Sequence, residues 1–234
     1  AQRPRLPPAL RAGSLTGRPP SPAPPAPLKV ATYNVHRAIG ADGRSVPARI
    51  LAVLQEIDPD VIALQELDLH RDASLNMLDY LARNTGLISV AGPTMWELQS
   101  RYGNAVLTRL PILDARRVDL TLPGREPRGA LDLDLEWRGG TLHLIATHLG
   151  LNPGERRRQV RRLLQLFDDE AAELSVLLGD LNEWFLWGRA LRWLKREFPR
   201  VPHCNTFPAR FPCLSLDRIW VNPPACLLRL ETHV

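Results

Sequence analysis

Asp60-Val61-Ile62-Ala63-Leu64-Gln65-Glu66 decides how the rest of the chain is read. Four apolar residues in a row, with no polar residue between them, describe a short strand buried on both faces. Gln65 and Glu66 are then delivered to its tip. Pro59 closes what precedes it, and what precedes it is helical: Ile50, Val53, Leu54 and Ile57 fall at i, i+3, i+4 and i+7, one face of a helix. A polar loop with Gly40, Asp42 and Gly43 separates that helix from a first strand over Leu28–Val35.

Downstream, Leu75, Leu78 and Ala82 suggest a second helix closed near Gly86. Short strand-like stretches follow at 87–92, 103–108, 112–120, 129–137 and 140–147, punctuated by Gly and Pro. Val160, Leu163, Leu164 and Phe167 mark a long helix. Val176–Leu178 is a strand ending at Gly179-Asp180, and a helix at 188–198 and a strand at 216–221 complete the pattern. Mixed strands with helices outside them predict an α/β protein of two packed sheets flanked by helices.

Residues 1–27 stand apart. They hold nine of the chain's 22 prolines, so they are expected to form an extended, mobile tail, with the globular domain over 28–234. The same segment carries Arg3, Arg5, Arg11 and Arg18 and no acidic residue; removing these four from the net charge of +5 leaves +1 for the domain. The global charge is therefore poor evidence for a polyanionic partner. Cys204, Cys213 and Cys226 are odd in number and show no C-x-x-C spacing, which argues against a disulfide framework or zinc site and for structural thiols in a reducing compartment. No apolar run reaches the roughly 18 residues of a membrane span, and no signal peptide is visible. A cytoplasmic monomer without a stable protein partner is the expectation.

Polar residues recur where apolar strand runs end. Asn34 follows Lys29–Tyr33, Glu66 follows Val61–Leu64, His148 follows Leu142–Thr147, and Asp180 with Asn182 follows Val176–Leu178. Strand ends along one sheet edge are where α/β proteins place active sites, because the sheet fixes their geometry. Singly, each has a bland reading as a turn residue, a cap or a core histidine. Together they supply oxygen donors without thiolates, a set suited to a hard cation such as Mg²⁺ or Mn²⁺. Phosphoester cleavage needs charge neutralisation, an in-line water and help for the leaving oxygen. Glu66 could hold the metal, His148 could donate to developing charge, and Asp180 with Asn182 could position the water.

Six strings in order, Ala31-Thr32-Tyr33-Asn34-Val35, Asp60 to Glu66, Gly103-Asn104-Ala105-Val106-Leu107, Ala146-Thr147-His148-Leu149, Gly179-Asp180-Leu181-Asn182 and Leu216-Asp217-Arg218-Ile219, resemble the motifs of the endonuclease/exonuclease/phosphatase superfamily. Its members include deoxyribonuclease I-like nucleases, neutral sphingomyelinases and inositol-polyphosphate 5-phosphatases, and the wording around Asn104, Pro127-Arg128-Gly129 and Asn182-Glu183-Trp184 is similar to small bacterial members of uncertain substrate. The resemblance implies a four-layer sandwich of two mixed sheets flanked by helices. It implies that Asn34 and Glu66 bind or orient the metal and that Asp180 and Asn182 sit at the nucleophile and scissile phosphate. It further implies that His148 stabilises the transition state, that Asp217 orients a catalytic histidine, and that Asn104 and Arg128 contact substrate. The superfamily's final Ser-Asp-His does not appear before Glu231-Thr232-His233-Val234, so a C-terminally truncated domain, short of one strand and impaired in activity, is expected; His233 reads as a bystander.

The function expected is metal-dependent hydrolysis of a phosphodiester, as in a nuclease. A phosphatase or lipid phosphodiesterase on the same scaffold is the alternative, and a non-catalytic binding domain is the alternative of another class. Substrate could be nucleic acid, a phospholipid head group or a small phosphoester. Two further features bear on that choice. Arg156, Arg157, Arg158, Arg161 and Arg162 crowd the start of the long helix, where positive charge opposes the dipole; a solvated face is the simpler reading and a phosphate or lipid patch the functional one. Trp184 and Trp187 fall just past Asn182, where a rim residue could stack on a base or lie against lipid, and Arg210 could reach over the site.

Overall fold

The computed structural model describes residues 26–69, 76–96, 101–167, 172–199 and 202–233. The Pro-rich tail, apart from residues 26 and 27, and Leu75 lie outside them. Strand β1 (Val30–Asn34) pairs in parallel with β2 (Val61–Asp68) through the crossover helix α1 (Pro47–Ile57). Helix α2 (Met77–Thr85) is capped by Asn76, whose side chain accepts from the backbone N–H of Leu78 and Asp79, and stops at Gly86 in the left-handed region. Strands β3 (Ile88–Trp96) and β4 (Arg101–Thr108) complete a four-stranded sheet ordered β1-β2-β4-β3. The second sheet is ordered β5-β6-β7-β8-β9, from β5 (Ile112–Asp119), β6 (Gly129–Trp137), β7 (Gly140–His148), β8 (Leu174–Asp180) and β9 (Asp217–Asn222). Helices α3 (Pro153–Leu164) and α4 (Arg189–Glu197) cover its outer face.

Strand alternation sorts the apolar residues into three cores. Val61, Ala63 and Val106 of the first sheet meet Leu131, Leu133, Leu144, Ala146, Val176, Leu178 and Val221 of the second. Ile62, Leu64 and Leu107 turn the other way, onto α1 and α2. Ile145, Leu177 and Trp220 turn onto α3 and α4. Two sheets between two helical layers is the four-layer α/β sandwich expected from the sequence. Among the described residues, no helix is long and apolar enough to cross a membrane. All three cysteines are free, but Cys213 and Cys226 are exposed, so the expectation of structural thiols fails for them.

The strand directions bring one set of ends together. The C-terminal ends of β1, β2, β7 and β8 share an edge with the N-terminal ends of β4, β6 and β9, because Asp68 is registered with Tyr102, Ala130 with Thr147 and Asp180 with Asp217. Along that edge the two-residue period carries Asn34, Asn104, His148, Asp180 and Asp217 onto the same face as Val30, Val106, Ala146, Leu178 and Ile219. The polar set is therefore the end of the inter-sheet core, where the apolar stack gives way to a cleft.

Candidate active site

Glu66 reaches this edge by a different route. A β-bulge interrupts the β2–β4 register between Leu64 and Leu67, and Glu66 sits at φ 56. Leu67 thereby takes the helix-side position that continues Ile62 and Leu64, and Glu66 is released from burial in that core. A non-glycine residue in this region costs of order 1–3 kcal/mol and persists where the surroundings over-determine it. His36 (φ 45) and Asn182 (φ 49) share that conformation, so three of the side chains at this edge stand on left-handed backbone.

The polar atoms are joined in one network. The Asn34 amide nitrogen donates to Glu66 Oε1 at 3.1 Å and to Asp180 Oδ2 at 3.2 Å, linking the tips of the two sheets. Asp180 Oδ1 accepts from the Asn182 backbone N–H at 2.9 Å. Asn182 Nδ2 donates to the Leu149 carbonyl at 2.8 Å and to His148 Nε2 at 3.0 Å. The carbonyl fixes the amide orientation, since a flipped amide would set oxygen against oxygen. Nε2 of His148 is thus an acceptor and its proton resides on Nδ1. Burial, helped by the charge of Arg128, lowers the His148 pKa to about 4, so the ring is neutral at pH 7 and still a donor through Nδ1.

Gly179 explains how β8 comes this close to β7. It is registered with Thr147, lies at φ 137, and a Cβ there would stand 1.8 Å from the Thr147 carbonyl oxygen. Only glycine permits the approach that sets Asp180 beside His148.

Burial pushes the Glu66 carboxyl up, but hydrogen bonds from His36, Asn34 and Tyr102 outweigh it and hold the pKa at about 2. Glu66 is therefore a persistent anion, 22% exposed. Glu66, Tyr102, Asn104, Arg128 and His148 line one small cleft. Asn104 is buried and donates to the Gly129 carbonyl at 3.0 Å. Arg128 is buried, forks onto Glu126 with two bonds of 2.9 Å, and keeps a buried Nε–H without a partner among the described residues. Asp217 Oδ1 is likewise buried and unpartnered.

The structure gathers every residue the sequence singled out, Asn34, Glu66, Asn104, Arg128, His148, Asp180, Asn182 and Asp217, at one edge. His233 lies elsewhere, 3.4 Å from Glu56 of α1. Arg210 is exposed and stacks on Phe211 with 5.8 Å to the ring centroid. Three contributors were missed. His36 Nδ1 is 3.1 Å from Glu66 Oε2; its position two residues past the Asn34 strand tip was the available signal. Tyr102, under the Arg37 guanidinium at 4.6 Å, gave none. Arg156, read as part of a solvated face, is instead 2% exposed and paired with Glu183, directly after Asn182.

Hard-cation chemistry fits these donors. Glu66 is ionised and joined to Asn34, all donors are oxygens, and Mg²⁺ characteristically takes one or two carboxylates and keeps several waters. Among the described residues no group of three or more His, Cys, Asp or Glu side chains is placed to hold a metal ion, so a cation here would rest on Glu66, Asn34 and water.

Asp217 makes a stability prediction. Burial, then repulsion from Asp180 opposite, raises its pKa from 3.8 to about 6. A folded-state pKa above the unfolded one means that ionisation penalises the fold. The penalty is absent below 3.8, grows through 6, and is complete above it. Asp217→Asn is expected to stabilise the protein by up to about 3 kcal/mol at pH 8 and by little at pH 4. Urea melts at the two pH values check this; a gain equal at both would show that charge is not the cause.

These observations describe a cleft lined by buried polar and charged side chains at one edge of a four-layer α/β sandwich, and comparison with known proteins gives the family. The chain belongs to the Endonuclease/Exonuclease/phosphatase family, whose model matches residues 31–234. Members of that family are hydrolases acting on phosphoesters. The chain is 27% identical to the uncharacterized protein YbhP of Escherichia coli (strain K12), in a match covering 88% of this chain and 92% of that protein. Among solved structures, the endonuclease/exonuclease/phosphatase from Beutenbergia cavernae DSM 12333 superposes with a TM-score of 0.68 at 25% identity, over 84% of this chain and 64% of its own length. This chain thus spans less than two thirds of that protein. The human Nocturnin catalytic domain with bound sulfate anion shares the fold at 17% identity, with a TM-score of 0.65 over 84% of this chain and 87% of its own.

Proposed function

We propose that this chain is a divalent-metal-dependent phosphodiesterase, using Mg²⁺ or Mn²⁺. The observation that carries the reading is the continuous hydrogen-bonded set Glu66–Asn34–Asp180–Asn182–His148 at the mouth of one cleft. Glu66 and Asn34 would hold the cation, which when bound would neutralise phosphate charge and assist the leaving oxygen. The remaining roles belong to side chains. Asp180, anchored by Asn34 and the Asn182 N–H, accepts the proton of the attacking water. Asn182 Oδ1, which no described residue occupies, positions that water. The neutral His148 donates Nδ1–H to the non-bridging oxygen on which charge develops, with Arg128 Nε–H beside it. Asn104 lines the substrate side of the cleft, and Asp217 stands opposite Asp180 on the adjacent strand.

The test is turnover of a soluble chromogenic phosphodiester with Mg²⁺. A chelator is expected to abolish it, and Glu66→Gln to lower it on the order of 10³-fold, because one neutral amide replaces the site's ionised metal donor. Mg²⁺ should also raise the melting temperature of the parent but not of Glu66→Gln. Chelator-resistant hydrolysis, or full activity in Glu66→Gln, would overturn the reading. Faster cleavage of the matching monoester would make the enzyme a phosphatase instead.

A further inference from the structure

Directly after Asn182 and the buried Glu183, four consecutive apolar side chains face solvent: Trp184 at 51% exposure, Phe185 at 54%, Leu186 at 43% and Trp187 at 73%. A second loop from the same edge, preceding Asp217, adds Phe207 at 39% and Phe211 at 73%. Trp184 and Phe207 have their centroids 6.3 Å apart, so the loops make one patch, and Phe185 lies 5.5 Å from Trp187. Contiguous exposed apolar surface of this kind marks an interaction site. The loop runs straight into α4, whose Ala190, Leu191 and Leu194 are buried while Arg189, Arg192 and Arg196 are exposed at i, i+3 and i+7. Residues 184–196 carry four cations and no acidic residue.

We propose that this patch is an interfacial anchor that seats the cleft on an anionic phospholipid bilayer, making a phospholipid head-group phosphodiester the substrate. The inference rests on the hydrolase reading above and narrows its substrate class. Trp and Phe side chains settle at the boundary between head groups and acyl chains, and each nearby Lys or Arg adds attraction to an anionic leaflet. In the reaction, water oxygen bonds to phosphorus, one P–O ester bond breaks, and the water's proton passes to the leaving alkoxide, giving an alcohol and a phosphomonoester. A nucleic-acid platform fits less well. Such a platform stacks successive bases on open aromatic faces along a positively charged groove that tracks the backbone. Here the rings pack on one another, Leu186 offers no π face, and Arg128, the guanidinium lining the cleft, is forked onto Glu126.

The experiment is sedimentation of the protein with vesicles of phosphatidylglycerol and phosphatidylcholine, against phosphatidylcholine alone, with a single-stranded oligonucleotide as a third ligand. The parent is expected to bind the anionic vesicles, with a blue shift of Trp fluorescence. Phe185→Ser/Trp187→Ser should weaken that binding about tenfold or more, and Arg192→Ser/Arg196→Ser about fivefold per charge removed. Both double variants should keep full turnover of the soluble chromogenic diester while losing turnover of vesicle lipid. Vesicle binding unchanged in the aromatic variant, or no vesicle binding by the parent, overturns the proposal; oligonucleotide binding that the aromatic variant loses would make the patch a base-stacking surface. Vesicle binding without hydrolysis of any phosphoester would overturn the hydrolase reading and, with it, the substrate assignment, while leaving the anchor.

Discussion

Asp180→Asn is expected to lower kcat for a soluble phosphodiester by about 10²–10⁴-fold, with little change in KM and no loss of stability. Both carboxylate oxygens are committed: Oδ1 accepts the Asn182 N–H and Oδ2 accepts the Asn34 amide. An amide at this position can satisfy one of these donors only. With its oxygen on the Asn182 N–H, its nitrogen faces the Asn34 nitrogen, donor against donor, and the link between the two sheet tips is broken. The amide also cannot take a proton from water. Stability moves the other way. Burial raises the Asp180 pKa, so the ionised carboxylate is held in an unfavourable setting, and its charge in turn opposes ionisation of Asp217. Removing it relieves both, against the loss of one hydrogen bond of about 1 kcal/mol. Activity and a thermal melt measured on the same sample test the combination. An inactive variant that is at least as stable as the parent shows a group kept for chemistry at the cost of the fold; undiminished kcat would remove Asp180 from the mechanism.

How much of this could be read from the sequence depends on which residues obey strand parity. Asn34, His148 and Asp180 each end an apolar strand run, so strand-tip reasoning placed all three, whereas Asp217 came only from the family resemblance; the expected strand over 129–137 coincides with β6. Glu66 was placed at a tip for an incomplete reason. The strand was expected to end at Leu64, whereas β2 continues to Asp68 through a bulge, and nothing in Gln65-Glu66 announces a register break that arises from pairing with β4. Tyr102 illustrates the same limit: its role depends on standing opposite Asp68 across that irregular pairing. The five arginines of α3 misled in a different way. Charge periodicity does not distinguish a solvated arginine from one whose partner is 27 positions distant, and Arg156 is of the second kind. The dipole conflict they raised is met partly by the Asn152 cap and by Glu155 in the first turn.

That buried pair carries the largest stability effect expected here. Arg156 and Glu183 are 2% and 4% exposed, and the guanidinium Nε and Nη2 each lie 3.2 Å from a carboxylate oxygen. Nη1 bonds the carbonyls of Gly150 and Leu151, while Glu183 Oε1 accepts the Phe185 N–H. One ion pair therefore ties the segment after His148, the start of α3 and the segment after Asn182. Arg156→Met is expected to cost about 3–5 kcal/mol, because it leaves a buried carboxylate without its counter-charge. Arg156→Lys should fall in between, since an ammonium cannot reproduce the fork or reach both carbonyls. Pairing Arg156→Met with Glu183→Leu removes both charges and should recover most of the lost stability in urea melts, which separates stranded charge from lost packing. Activity should not recover in parallel. His148 and Asn182 hold each other through a single bond and the Leu149 carbonyl, and their segments would no longer be clamped together. Restored stability with kcat still reduced would identify the pair as positioning residues for His148 and Asn182. A cost under about 1 kcal/mol for Arg156→Met would mean that solvent reaches Glu183 and that the pair is an ordinary surface contact.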